Sequence, residues 1–365
     1  MVTVILTTYR RPKLVRRAIA SFKNQTMGNF VLMVIDNGSN DETEATVRAE
    51  CSADRRIQYV KRERNIPPYE SIRMAIATLD TPFFTICADD DFVYPWHLET
   101  LLPAIENDDG ISYCFGLVAY VEMDGKIRSV APGGWPVGKT KRGQSAVNTV
   151  RFGHIAWQAG IYRTADVRAA GGGPVGEFGL IGDVEFLIRL GMYGAACFVE
   201  RLVAVHSCHE QQGASAYSLG ERKGIIGVYH AIGQYHDCDA GSLSVTRRIY
   251  RQWMLYFLAV LAAKQRPRPS ASELLLTGVS LLAKCGSFSG FFRFARAALV
   301  EKCGMGRDGI ALTRMETRFY KLLKKYGIRH DRRDEMNDET RLLTRKLAGI
   351  GLEDGDRIEG RREEQ

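Results

Sequence analysis

The first ninety or so residues switch repeatedly between two hydrophobic periodicities, and this restricts the possible folds more than any single motif. Val2–Thr7, Phe30–Ile35 and Ile57–Val60 are compact apolar runs of strand character. Between them lie segments of helical spacing. Leu14, Val15, Ala18, Ile19 and Phe22 follow Pro12; Glu42–Ala49 follows the turn Asp36–Asp41; a third helix, about Tyr69–Leu79, follows the breaker Pro67–Pro68. Strands alternating with amphipathic helices predict an α/β fold, a mostly parallel sheet with helices on both faces. Sheets of this kind bind ligands beyond the carboxyl ends of their strands. Here those ends carry Thr7–Thr8–Tyr9–Arg10, Asp36–Asn37 and Asp89–Asp90–Asp91.

The third of these ends is the most demanding. Phe83–Cys87 is a buried-type strand that runs straight into three carboxylates. Pro95 and the stripe Leu98, Leu101, Leu102 and Ile105 then predict a helix. Adjacent carboxylates repel, and partial desolvation raises the cost of keeping them charged. A hard divalent cation relieves both problems, because Mg²⁺ or Mn²⁺ takes carboxylate oxygens and bridges to substrate phosphates. A solvated acidic loop capping the helix is the alternative.

Beyond residue 110 the pattern changes. Ile111–Val121 is a long strand closed by a hairpin turn at Met123–Lys126, and 131–149, with Pro132, Gly133, Gly134 and Pro136, reads as a mobile loop. Thr164–Ala170 is a short helix ended by Gly171–Gly173. Gly182–Leu190 is a helix with Asp183 at its amino end, and Ala196–Val199 is a last short strand. From about Tyr217 the chain reads as helical. Arg247–Ala263, a capping box at Ser270–Glu273, Phe288–Leu299 and Thr313–Tyr326 mark successive helices. The expected division is a catalytic α/β domain over 1–215, a basic helical region over 216–352 and a polar tail over 353–365.

Charge supports the division. Residues 216–365 carry 27 Lys/Arg against 18 Asp/Glu, whereas residues 1–215 carry 23 against 24. A basic appendage suits an anionic partner such as a membrane surface, or is a solvated arginine-rich helical face. The longest uncharged apolar run, Trp253–Ala263, has eleven residues, well short of the ~20 that span a bilayer. No transmembrane helix is therefore expected. Met1–Leu6 opens directly as a strand without a basic and then apolar leader. The eight cysteines form no C-x-x-C pair and read as reduced, which places the protein in the cytoplasm or at the inner face of the membrane.

Several ordered motifs in the first ~210 residues resemble glycosyltransferase family 2, the inverting nucleotide-sugar transferases of GT-A (Rossmann-like) fold. They are Val4–Pro12, Val34–Asp41, Asn65 before a helix, Asp89–Asp90–Asp91 with Pro95, Gly171–Gly172 with Asp183–Arg189, and His209. Two positions depart from the family pattern. Ala88 stands where an acid often precedes the Asp pair, and Gly182 stands where an acid often precedes Asp183.

The resemblance implies transfer of a sugar from a nucleoside-diphosphate sugar, UDP or dTDP, to a carbohydrate or lipid-linked acceptor hydroxyl in polysaccharide or glycolipid synthesis. Asp183 is the expected general base, with Glu185 as its substitute. Asp90, Asp91 and His209 are the expected ligands of Mg²⁺ or Mn²⁺, with Asp89 beside them; His206 competes with His209 for that assignment. Asp36 is expected to accept from the imide N–H of the base, or else to form an Asx turn. Thr7, Tyr9, Arg10 and Asn65 line the nucleotide, and Trp157 either stacks on an acceptor sugar or belongs to the core. The basic helices either meet an anionic membrane or form a homodimer interface; nucleic acid is not an expected partner. Two other functions fit less well. A sugar nucleotidyltransferase would need a glycine-rich loop after the first strand, which Thr7–Pro12 lacks. A non-catalytic nucleotide-sugar-binding scaffold rests on Ala88 and Gly182 alone.

Overall fold

The computed structural model describes residues 1–153, 155–209, 221–235 and 239–264, with isolated helical positions at 277 and between 340 and 344. The expected strand–helix alternation is present. It comprises β1 (Val2–Thr8), α1 (Pro12–Lys23), β2 (Phe30–Asp36), α2 (Thr43–Ala53), β3 (Ile57–Lys61), α3 (Pro68–Thr78) and β4 (Phe83–Ala88). β1, β2 and β4 are buried along most of their length, as parallel strands covered on both faces must be, whereas the outer β3 buries only Ile57 fully. β1 pairs in parallel with β2 on one side and β4 on the other, and β3 joins outside β2. The chain thus builds outward from β1 in one direction, then returns to add β4 on the opposite side. The reversal opens a crevice at the carboxyl ends of β1 and β4. Register sets Thr8 beside Asp36 and Thr7 beside Ala88, so the polar ends of three strands share one edge.

The second half of the sheet is mixed. After β4 come β5 (Phe92–Val93), α4 (His97–Glu106), β6 (Ile111–Glu122) and β7 (Ile127–Ala131). The sheet runs β3-β2-β1-β4-β9-β6-β10-β5, with β7 on β6 and β8 on β10. Here β8 is Gly138–Thr140, β9 is Gly160–Arg163, followed by α6 (Thr164–Ala169), and β10 is Ala195–Cys208. The short β9 lies antiparallel to both β4 and β6 and joins the halves.

Two expectations are corrected. The segment 131–149 is not a loop throughout: it holds β8 and the start of α5 (Gln144–Phe152). The strand expected over Ala196–Val199 is a fourteen-residue β10 that runs on to Cys208. It continues because it pairs with β6 over almost its full length, a long-range partnership invisible to local periodicity. A short antiparallel match, Val205 to Phe92 and Ala204 to Val93, ties the residues just after the acidic triplet to β10.

The main core lies on the two faces of the sheet, under α1–α4. A second cluster gathers Phe178, Ile181, Val184 and Ile188 with Ile225, Ile226, Tyr229, Tyr250, Met254 and Leu258. It fixes α8 (Arg222–Ile232) and α9 (Ala240–Lys264) against α7 (Gly182–Tyr193), so these helices dock on the α/β domain. No helix among the described residues is long and apolar enough to cross a membrane. Apart from the single helical position 277, the helices expected over 270–326, the tail 353–365 and any dimer face on them lie outside the described residues.

Candidate active site

The carboxylates at the end of β4 are built into the sheet by three different elements. Asp89 is almost fully buried; its Oδ2 accepts from Thr8 Oγ1 at 2.8 Å and its Oδ1 from Arg11 Nη1 at 3.0 Å. Asp90 Oδ2 lies 3.1 Å from the same Arg11 nitrogen and 3.0 Å from His209 Nε2. Asp91 is turned into the sheet. Its Oδ1 accepts the Ser207 N–H at 2.9 Å and its Oδ2 faces His206 Nδ1 at 3.2 Å. Arg17, on α1, is buried against Phe92 and donates to the Asp90 carbonyl and to Ser207 Oγ.

The three acids therefore do different things. Burial, and then the neighbouring Asp90 charge, push the Asp89 carboxyl up to about 6. Burial opposes ionisation of Asp90 too, but hydrogen bonding from His209 and the Arg11 charge hold it below the ordinary range. Burial raises Asp91. Burial by itself would lower His206, yet the Asp91 carboxylate, with Asp90 and Asp183 behind it, lifts it to about 9. Asp91 thus braces β10 through His206 and the Ser207 N–H, whereas Asp90 is the acid that meets His209.

The turn after β2 forms the next wall. Gly38 has φ +85°, and a Cβ there would lie 2.7 Å from the Arg64 backbone. Glycine alone lets this turn pack against the segment carrying Asn65. Asp36 is fully buried, its Oδ1 accepting the Ser39 N–H at 2.8 Å and its Oδ2 the Tyr59 hydroxyl at 2.6 Å. It serves as the Asx turn, and the expected contact of Asp36 with a base is not what its geometry offers. Asn37 stands next to it, 5% exposed. Its Nδ2 donates to Asn65 Oδ1 at 2.6 Å and to the Ile66 carbonyl at 2.5 Å, leaving Oδ1 a buried acceptor with no protein partner among the described residues. Thr7 and Tyr9 are half-buried at the same edge, and Asn65 is exposed on its outer lip. Arg10, exposed and at φ 54°, lies over the Tyr9 ring, with its N–H donated to Ser39 Oγ.

The opposite wall carries Asp183, in the first turn of α7. It is partly exposed, and its charge reaches His206, Tyr120 and Tyr162. Asp90 acts on the same His206, so both acids border one region. Glu185, two residues on, is 2% exposed. It accepts from Arg189 Nε at 2.7 Å and from the Tyr235 hydroxyl at 2.6 Å. Glu185, the expected substitute base, thereby ties α7 to the segment after α8. The glycine at 182 also finds its reason: a Cβ there would lie 2.9 Å from the Tyr69 ring. Tyr69 in turn meets Trp157 edge-on, ring centroids 5.6 Å apart. Trp157 is half-buried, and its neighbour Gln158 reaches His206 Nδ1 at 3.3 Å.

Among the described residues, no group of three or more His, Cys, Asp or Glu side chains gathers into a metal cage. The donor set that does converge is Asp90 and His209, with Asp89 alongside. Two protein donors suit Mg²⁺ or Mn²⁺ when substrate phosphates complete the shell. The crowded negative charge, with Asp89 already raised, is of the kind a cation relieves. Sequence reading missed Arg11, Arg17, Asn37 and Tyr69. A signal existed for Arg17, which follows the apolar stripe of α1 onto its buried face, where an arginine needs an anionic or carbonyl partner.

Comparisons with known proteins agree with this geometry. Residues 3–168 match the model of glycosyl transferase family 2. An uncharacterized glycosyltransferase of Methanocaldococcus jannaschii is 30% identical over 129 residues, 35% of this chain and 44% of that one. This chain thus spans less than half the length of the curated relatives of this kind. Staphylococcus aureus TarS 1–349 in complex with UDP-GlcNAc superposes with a TM-score of 0.60 at 15% identity, covering 83% of this chain and 92% of TarS 1–349. The mannosyltransferase PcManGT of Pyrobaculum calidifontis, in complex with GDP-Man and Mn²⁺, superposes with a TM-score of 0.51 at 15% identity, covering 82% and 86%. By the crevice at β1 and β4 this chain has the GT-A fold, and its residues 3–168 are similar to glycosyl transferase family 2.

Proposed function

We propose that the protein is an inverting glycosyltransferase that moves a sugar from a nucleoside-diphosphate sugar to an acceptor hydroxyl, in polysaccharide or glycolipid synthesis. The observation that carries this reading is the shared border of Asp90 and Asp183, one beside His209 and both acting on His206. Inversion requires the departing diphosphate on one side of the anomeric carbon and the deprotonated hydroxyl on the other. Asp90 and His209, with Asp89 beside them, would hold Mg²⁺ or Mn²⁺, which as a Lewis acid neutralises the leaving diphosphate. Asp183, in the first turn of α7, accepts the acceptor's proton as its oxygen attacks.

Asn37 takes the base-reading role expected of Asp36. Its amide orientation is set by two carbonyl-type acceptors, so Oδ1 faces the ligand as an acceptor. One neutral acceptor suits the single imide N–H of uracil or thymine, which supports UDP or dTDP as the donor nucleotide. Tyr69 and Trp157 supply an apolar face against which a sugar ring can stack. The test is a hydrolysis and transfer screen of the purified chain against UDP-, dTDP- and GDP-sugars with Mn²⁺ or Mg²⁺. Turnover should require the metal and be lost in Asp90→Ala. Undiminished turnover in that variant would refute the assignment, and binding of nucleotide-sugars without turnover across a broad acceptor panel would favour a scaffold role.

A further inference from the structure

Two arginines of α1 meet the acidic triplet, and they are held very differently. Arg17 is 3% exposed and donates to a carbonyl and a hydroxyl, neutral groups that a metal would not claim. Arg11 stands at the amino end of α1 with a third of its side chain exposed. A single nitrogen of Arg11, Nη1, lies 3.0 Å from Asp89 Oδ1 and 3.1 Å from Asp90 Oδ2. That nitrogen bridges two carboxylates that would also serve as ligands of a divalent cation. It also shares Asp90 Oδ2 with His209.

We propose that Arg11 is a diphosphate-binding residue whose guanidinium stands in for the divalent cation until the donor arrives. This rests on the glycosyltransferase reading and adds a residue to it. Without donor, Arg11 keeps Asp89 and Asp90 together and partly neutralised. When a metal–nucleotide pair enters, Arg11 gives up the two carboxylates and turns to the diphosphate, which brings at least two negative charges into the same crevice. A guanidinium suits both positions, because its planar donors pair equally well with carboxylate and phosphate oxygens. Metal and arginine then compete for the carboxylates in the absence of nucleotide, and cooperate in its presence.

The two halves of the proposal predict effects of opposite sign. Mn²⁺ is titrated calorimetrically into the full chain as wild type, Arg11→Gln and Arg11→Lys, followed by UDP at saturating Mn²⁺. Arg11→Gln should bind Mn²⁺ alone at least about five-fold more tightly, because a competing positive charge is gone. With Mn²⁺ present it should bind UDP at least about ten-fold more weakly. Arg11→Lys should shift both constants in the same directions by less, and it provides the readout should Arg11→Gln fail to show a wild-type melting transition. Unchanged or weaker Mn²⁺ binding, or unchanged UDP binding, would overturn the proposal and leave Arg11 a structural ion pair. An Asp90→Asn control separates the two levels. If it loses Mn²⁺ binding that the wild type has, the metal reading stands whatever Arg11 does. If the wild type binds neither Mn²⁺ nor UDP, both fall together.

Discussion

Two places in this molecule set arginine against buried carboxylate, and they differ in how completely the acid is enclosed. At the node on α7, Glu185 has both oxygens engaged, by Arg189 on the next turn and by Tyr235. Arg189 spends its remaining donors on the carbonyls of Ala170, Gly172 and Gly173. Among the described residues these partners are all side chains and carbonyls of the protein itself. At the end of β4, by contrast, Arg11 divides one nitrogen between two acids, Asp90 is reached by His209, and the group borders the crevice. A closed ion pair holds elements together; an open, unevenly compensated one holds charge ready for something that arrives from outside. Asp183 and Glu185, two residues apart on one helix, fall on opposite sides of that distinction.

The comparison is tested most severely at its open end. Asp90→Asn should lower nucleotide-sugar turnover on the order of 10⁴-fold, about 5 kcal/mol of transition-state stabilisation, with little change in unfolding free energy. A stability loss as large as the activity loss would show the triplet to be structural after all. At the closed end the pattern should invert. Glu185→Ala leaves the Arg189 charge and the Tyr235 hydroxyl without their carboxylate, and should cost about 4 kcal/mol in denaturant unfolding. A loss below about 1 kcal/mol would mean that the node is not closed.

A third buried titratable group sharpens the contrast because it has no counter-ion among the described residues. His97 is fully buried, with Nδ1 near the Val203 carbonyl and Nε2 without a partner among the described residues. Burial pushes its imidazole down to about 4. The unfolded chain, with an ordinary histidine, takes up the proton first as pH falls. Stability from neutral His97 is therefore complete above pH ~6.5 and is lost progressively toward pH 4, about 2 kcal/mol by pH 5. Unfolding free energies of wild type and His97→Leu measured from pH 7 to 5 should converge by that amount. Parallel curves would remove His97 from the acid response.

The smallest effect is expected at Asn37. Asn37→Ala removes one acceptor for the base and should weaken UDP binding about ten-fold, ~1.4 kcal/mol, measured by calorimetry with Mn²⁺. A matching loss in Asp36→Asn with none in Asn37→Ala would return the base contact to Asp36.

How much of this was legible beforehand varies with the range of the interaction. The strands and helices of the first ninety residues were readable because period two and period 3.6 report which face of a segment is covered, and covering is local information. The turn at 36–41 and the acids at 89–91 and 183 marked the crevice for the same reason: a tight turn and a run of carboxylates have requirements that hold whatever surrounds them. The identity of each acid's partner was not readable. Asp89 meets Thr8 and Arg11, Asp91 meets His206 and Ser207, and Glu185 meets Tyr235, across separations from 50 to 116 residues.

Such pairings follow from strand order and register, above all from β10 running on beside β6 to deliver His206, Ser207 and His209 to the triplet. Composition and periodicity carry no information about register between distant strands. The sequence by itself determined where charge would collect. Tertiary structure decided which of those charges are enclosed and which remain open, because enclosure depends on neighbours brought in from elsewhere in the chain.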